Sequence, residues 1–392
     1  MSFFQSLAAA FKGEAVTPRA PLGRSFISPW IAAADWRGEP SRPEFSRGPS
    51  NYAAAAREAY LRNPVAQRAV RIVAEGVGSA PVRASHPELL ALVSETSAGQ
   101  PLLETLAAHL MLHGNAFVQV LRDAEGIPVE LFALRPERVT VIPDAAGWPA
   151  AFAYKVGEKT MRIDAVDDLG RANLIHVRHF HPSDDHYGAG CLEAAEEAVA
   201  IHNAAARWNR SLLENAARPS GALVYDPGEP GAALTADQFE RIKSELSAAY
   251  SGMGNAGRPM LLEGGLRWQA LALTPADMDF ATLKAAAARD IALAFGVPPM
   301  LLGIPGDNTY ANYREANRAL WRLTLLPVAG KILSALAEGL RPWFAGASLI
   351  VDFDRVPALG EDRERLWAQV TAADFLTGEE KRALLGIEQV QA

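Results

Sequence analysis

Apolar positions recur at helical spacing over two long neighbouring stretches, and a hard stop separates them. Met278, Phe280, Leu283, Ala287, Ile291 and Phe295 fall three or four residues apart, with alanine filling most gaps. Thr274-Pro275-Ala276-Asp277 supplies a capping hydroxyl, a proline where no amide partner is required and an acid in the first turn. Gly296-Val297-Pro298-Pro299 ends this helix, because glycine suits the turn past its end and neither proline can continue it. At 1.5 Å per residue the helix is about 30 Å long, and its small side chains predict close neighbours on several sides. A polar loop follows, Gly303-Ile304-Pro305-Gly306-Asp307-Asn308-Thr309, and the chain turns helical again through Arg322 to about Leu340.

The same patterns divide the rest of the chain. Helices are expected over 52–63, 64–78, 87–94 and 102–114, with a short extended piece at 81–83. Alternating strands are expected over 116–121, 129–134, 139–142, 152–156 and 174–177, with turns at Asp123–Gly126, Asp144–Gly147 and Asp167–Gly170. Their connections are too short for parallel crossovers, so the class is α+β with an antiparallel sheet. A further long helix over 192–217 stops at Arg218-Pro219. Between 220 and 273 lies a small unit with strands at 222–225, 260–262 and 268–271. Its helix opens with a capping box, Thr235 and Gln238, and carries Phe239, Ile242, Leu246 and Tyr250 on one face. About 50 residues make a marginal core, so this unit is expected to finish its sheet against neighbours. A strand at 349–351 and helices at 357–372 and 377–385 close the chain. Residues 13–50 are rich in proline, arginine, serine and glycine and are expected to form an extended or disordered arm. There Trp30, Ile31 and Trp36 suit docking on a partner such as a neighbouring subunit.

Length adds that the 392 residues fill two or three compact units. A net charge of −7 argues against tight grip on nucleic acid by phosphate neutralisation, but suits a surface along which a polyanion slides. The single cysteine, Cys191, rules out an internal disulfide framework and reads as a small buried residue at a helix start. No uninterrupted apolar run reaches the length of a membrane span, and Met1 to Lys12 reads as a short amphipathic helix without the basic start of a signal peptide. Synthesis in the cytoplasm, with no membrane partner, is the expectation.

Candidate chemistry concentrates between His176 and His186, where His179, His181, Asp184 and Asp185 also lie. Four histidines and two aspartates open the alternative of a metal-dependent hydrolase. The segment nonetheless lacks the helical His-Glu spacing of hydrolytic metal sites and reads as a strand and a solvated loop. No phosphate-cradling loop is present: Gly157-Glu158-Lys159-Thr160 lacks its upstream glycine, and Gly330-Lys331 is followed by Ile332. A G-x-S-x-G nucleophile elbow is also missing. Arg314, Arg318 and Arg322, with Glu315, read as ion pairing on a helix surface.

Three segments carry a family resemblance. Ala288 to Pro299, then Met300 to Gly303, then Asn308 to Asn317 resemble the portal proteins of tailed phages. The likeness is to the short portals of long-tailed phages, those of phage-derived gene transfer agents included, and runs from about Tyr60 to the C-terminus. It implies a ring-shaped homo-oligomer of twelve subunits at one capsid vertex of a virion or phage-like particle, through which double-stranded DNA is packaged and ejected. Implied partners are a terminase ATPase, a head–tail adaptor and the major capsid protein; no catalytic residue, cofactor or metal is implied. The implied division is an arm (1–50), a wing (51–190), stem helices (191–218 and 275–299), a clip (219–274), a tunnel loop with long wing helix (300–345) and a C-terminal crown (346–392). Asp307, Asn308, Thr309, Tyr310, Asn312 and Tyr313 would face DNA, and Ala286, Ala287 and Ile291 would pack the stem. Phe239, Tyr250, Arg258 and Trp268 would dock partners on the clip. Enlarging Ala286 or Ala287 is expected to block ring assembly while monomers stay folded.

Overall fold

In the computed structural model the described residues are 49–97, 99–214, 221–225, 235–250, 266–270, 280–304 and 310–385. Helix α1 (Pro49–Ala56) passes into a π-turn, Arg57–Leu61, and the chain stops at Asn63-Pro64 before α2 (Pro64–Gly78). The Asn63 side-chain oxygen accepts from the amides of Val65 and Ala66, both at 3.0 Å, so α2 starts capped. Its buried face is Ala66, Ala69, Val70, Val73, Ala74 and Val77, with Val65 and Ile72 at the margin. After β1 (Val82–Ala84), α3 (Pro87–Ser94), β2 (Thr96–Ser97) and β3 (Gln100–Pro101), helix α4 (Leu102–His113) packs along α2. It ends at Gly114, in the left-handed region with φ 78°.

Two three-stranded antiparallel sheets follow where one was expected. They are built from β4 (Asn115–Arg122), β5 (Pro128–Leu134), β6 (Val139–Pro143), β7 (Pro149–Val156), β8 (Lys159–Asp164) and β9 (Leu174–Arg178). The first has the order β5-β4-β9 and the second β6-β7-β8. Phe117, Leu134 and Leu174 from the first meet Val139, Val141, Phe152 and Ile163 from the second in one apolar cluster. Strand β8 is absent from the sequence expectation because only Met161 and Ile163 turn inward among polar neighbours.

Helix α5 (Cys191–Glu214) leads to the small unit, where β10 (Gly221–Tyr225) pairs antiparallel with β11 (Leu266–Ala270). Helix α6 (Ala236–Tyr250) forms the expected capping box: the Thr235 amide donates to Gln238 Oε1 at 3.0 Å, and the Gln238 amide to Thr235 Oγ1 at 3.4 Å. The chain returns in α7 (Phe280–Ala294), which packs along α5. Its expected cap at Thr274, the strand at 260–262 and the arm with Trp30, Ile31 and Trp36 lie outside the described residues.

Helix α8 (Tyr310–Leu320) continues through a π-turn, Trp321–Leu325, into α9 (Leu326–Leu340). Pro327 has no amide to donate and its ring crowds the carbonyl four residues back. The π-turn accommodates this by shifting to bonds five residues long, as in Leu326 N–H to Trp321 O. Length and composition alone qualify Ala311–Leu340 as a membrane span, although it holds no uninterrupted apolar run of that length. Half of its apolar window is buried within the protein, with Ile332, Leu333, Leu336 and Leu340 at 0–1% exposure, so it is built as a core helix. Strand β12 (Leu349–Val351) returns to pair antiparallel with β1, Val82 opposite Val351. Helices α10 (Gly360–Ala372) and α11 (Gly378–Leu384) end the described chain, α11 opening with a Thr377–Glu380 capping box.

Candidate functional site

The histidine segment is the one place where the sequence offers reaction chemistry, and the fold uses it differently. His176 on β9 stacks on Phe117, ring centroids 4.2 Å apart, and its Nε2 lies 3.0 Å from Asn115 Oδ1. That oxygen also accepts from the Gly188 amide at 2.8 Å, while Asn115 Nδ2 donates back to Gly188 O at 3.0 Å. Burial, helped by nearby Arg178, pushes His176 down to about 3, so the ring is neutral. The His179 amide donates to Gly114 O at 2.8 Å. Asp184 Oδ1 accepts from the amides of His186 and Tyr187 at 2.7 and 2.9 Å, and the Tyr187 hydroxyl accepts from the Val141 amide at 2.9 Å. Backbone meets backbone here: a Cβ on Gly188 would lie 2.3 Å from Gly114 O. The segment is thus a clasp between β9, the α4–β4 turn and the start of α5. Among the described residues no three His, Cys, Asp or Glu side chains gather to hold one metal ion. Cys191 Sγ lies 4.0 Å from Met111 Sδ, and burial pushes its thiol up to about 11, so it is packing rather than a nucleophile.

Helix α7 places the residues expected to pack the stem on two different faces. Ala287 (3% exposed) and Ile291 (0%) are buried on the inner face of α7. Ala286 is exposed, and at helical spacing it shares an outer face with Leu283 (45% exposed) and Leu293 (80%). Where α7 ends, Thr324 Oγ1 of the second π-turn donates to Gly296 O at 2.6 Å. A second joint, unmarked in the sequence reading, lies at the other helix of the pair. Asn63 Nδ2 reaches Asn203 Oδ1 at 3.0 Å and His202 Nδ1 at 3.1 Å, both on α5. The signal available beforehand was an adjacent His-Asn pair inside an alanine-rich apolar helix face.

Of the residues expected to face DNA, Asp307, Asn308 and Thr309 lie outside the described residues. Tyr310 opens α8, and Asn312 and Tyr313 follow as exposed positions, Tyr313 at 53%. The arginines behind them form the expected ion pairs and reach further than their own helix. Arg318 pairs with Glu315 at 3.0 Å and with Glu361 of α10 at 2.7 Å, and Arg314 also meets Glu361 at 2.7 Å. In the small unit Phe239 on α6 is 57% exposed, Tyr250 ends that helix, and Trp268 on β11 sits opposite Leu223; Arg258 lies outside the described residues.

The described residues form an α+β body, a pair of long helices and a small strand–helix unit. Comparison with known proteins supplies the family. Residues 64–386 match the phage portal protein family. A protein of Rickettsia bellii (strain RML369-C) is 39% identical over 355 residues, covering 85% of this chain and 89% of its own length. A chain in the neck of a native gene transfer agent particle, solved with C12 symmetry, superposes with a TM-score of 0.67 at 44% identity, covering 88% of this chain and 95% of that one. A phage portal protein of the HK97 family from Corynebacterium diphtheriae shares the fold at a TM-score of 0.56 and 18% identity, over 78% of this chain and 97% of its own. The chain belongs to the phage portal protein family. It is a portal subunit, with a structural and not an enzymatic role.

Proposed function

We propose that twelve copies of this chain close into the ring at one capsid vertex of a phage-like particle and form the conduit for double-stranded DNA. The observation that carries this reading is the 44% identity, over nearly the whole of both chains, to a subunit of a twelve-fold particle neck. The same identity, against 18% to a phage portal of the same fold, favours a gene transfer agent type of particle. In this reading residues 51–190 are the wing, α5 and α7 the stem, residues 219–274 the clip and residues 346–392 the crown, which β12 ties to the body. The segment 307–313, whose last four residues are the first turn of α8, faces the tunnel: asparagine, threonine and tyrosine touch a passing backbone without the affinity of clustered lysines. Phe239, Tyr250, Arg258 and Trp268 form the clip surface for the terminase ATPase and then the head–tail adaptor, while the outer body meets the major capsid protein. The β10–β11 pair, two strands alone among the described residues, is marginal in water and gains support from adjacent copies in the ring. Negative-stain imaging of protein recovered from particles tests the reading. Rings with a central hole are expected; only monomers, from particles that contain the protein, would overturn it.

A further inference from the structure

We propose that the buried Asn63–His202–Asn203 network is the joint that sets the angle of the stem on the body and, through it, the number of subunits that close the ring. This rests on the ring reading above. The three side chains are 1%, 5% and 6% exposed, and they come from two elements distant in sequence. Asn63 is fully satisfied: its oxygen accepts from Val65 and Ala66 while its nitrogen reaches Asn203 Oδ1 at 3.0 Å and His202 Nδ1 at 3.1 Å. Asn203 Nδ2 in turn donates at 3.0 Å to the carbonyl of Glu58, inside the first π-turn. One amide thereby caps α2, and a chain of three bonds clamps α5 to α2 and to the π-turn together. Such a network holds one geometry, because any sliding of α5 leaves a buried polar atom without a partner.

Ring closure turns that rigidity into a count. In a cyclic ring each copy is rotated from the next by a full turn divided by the copy number, about 30° for twelve and about 28° for thirteen. The two outcomes differ by only about 2° per copy. In the proposed ring, a body and a stem that both meet the neighbouring copy make the wedge angle of the subunit follow the angle between them. From its joint at Asn203 to Glu214 helix α5 runs about 16 Å at 1.5 Å per residue, so a 2° swing about the joint moves that end by about 0.6 Å. A shift of that size is what loss of a hydrogen-bonded clamp permits.

Native mass spectrometry of rings formed by the full-length chain tests this, with Asn203→Ala as the variant. It removes two of the three bonds, those to Asn63 and to the Glu58 carbonyl, leaves the Asn63 cap of α2 and its contact with His202 in place, and suits a helix. Wild-type rings are expected at one copy number and the variant at two or more adjacent ones. Ile332→Val, a core change outside the network, serves as the control for general loosening and is expected to lower the melting temperature while keeping the wild-type count. If Asn203→Ala does not fold, His202→Ala is read by the same criteria. A variant with the wild-type count, or a control that spreads as widely, overturns the proposal while the ring reading stands. Wild-type protein that forms no ring fails the ring reading itself, and this inference with it.

Discussion

At the scale of single residues, the histidines set a pH limit on stability. Burial holds His109 and His113 at about 4 and His176 at about 3, below the usual 6.5; His113 and Arg135 add to the effect on His109. The folded chain therefore keeps these rings neutral, while the unfolded chain takes up protons near pH 6.5. Stability is full above that value and falls as pH drops through it towards 4 and then 3, by up to about 1.4 kcal/mol per pH unit for each ring. Urea midpoints should decline between about pH 7 and 5. His109→Leu, which removes a ring whose buried Nδ1 has no hydrogen-bond partner, should make the decline shallower. Midpoints that do not move with pH would refute this account. The cluster drew attention in the sequence because histidines and aspartates lay close together. What it lacked was any sign that Asn115 would bond to His176 and to both backbone groups of Gly188, the latter a pairing across 73 residues.

At the scale of elements, α7 shows how much periodicity reveals. The apolar spacing gave the helix and its stop at Gly296, and Ile291 and Ala287 do turn inward. It did not separate Ala286 from Ala287, since alanine is equally at home on a buried and an exposed face. The structure does, and the expectation that monomers stay folded with a bulky residue at either position is revised for the buried Ala287. Ala286→Trp should shift monomer stability by no more than about 0.5 kcal/mol, as a surface change, yet block ring assembly. Ala287→Trp should cost about 1–3 kcal/mol or more by overpacking the inner face. Circular dichroism melts with light scattering separate the two; rings from Ala286→Trp would show that the outer face of α7 is not an assembly surface. Strand β8 escaped notice for the opposite reason, since its polar residues dominate and only its partner β7 makes it a strand.

At the scale of the whole molecule, the segment proposed to face DNA and the body should be separable. Deleting residues 307–311 is expected to leave ring formation unchanged and to reduce the DNA content of particles, measured as the ratio of filled to empty heads. Normal filling would remove the loop from the mechanism. Arg314 and Arg318, tied to Glu361, hold the base of that segment to α10 and lie beyond the deletion. By itself the sequence determined the α+β class, the long helices, the stop at Gly296, the Thr235–Gln238 capping box and the family. Each of these depends on residues a few positions apart, or on a motif that is itself contiguous. Only the tertiary structure decided the split into two sheets, the pairing of β1 with β12 across the length of the chain, and which face of α7 is left open. It also decided that the histidines are a clasp and that Asn63 reaches α5. Those contacts join residues far apart in sequence, and their energies depend on burial, which no local pattern encodes.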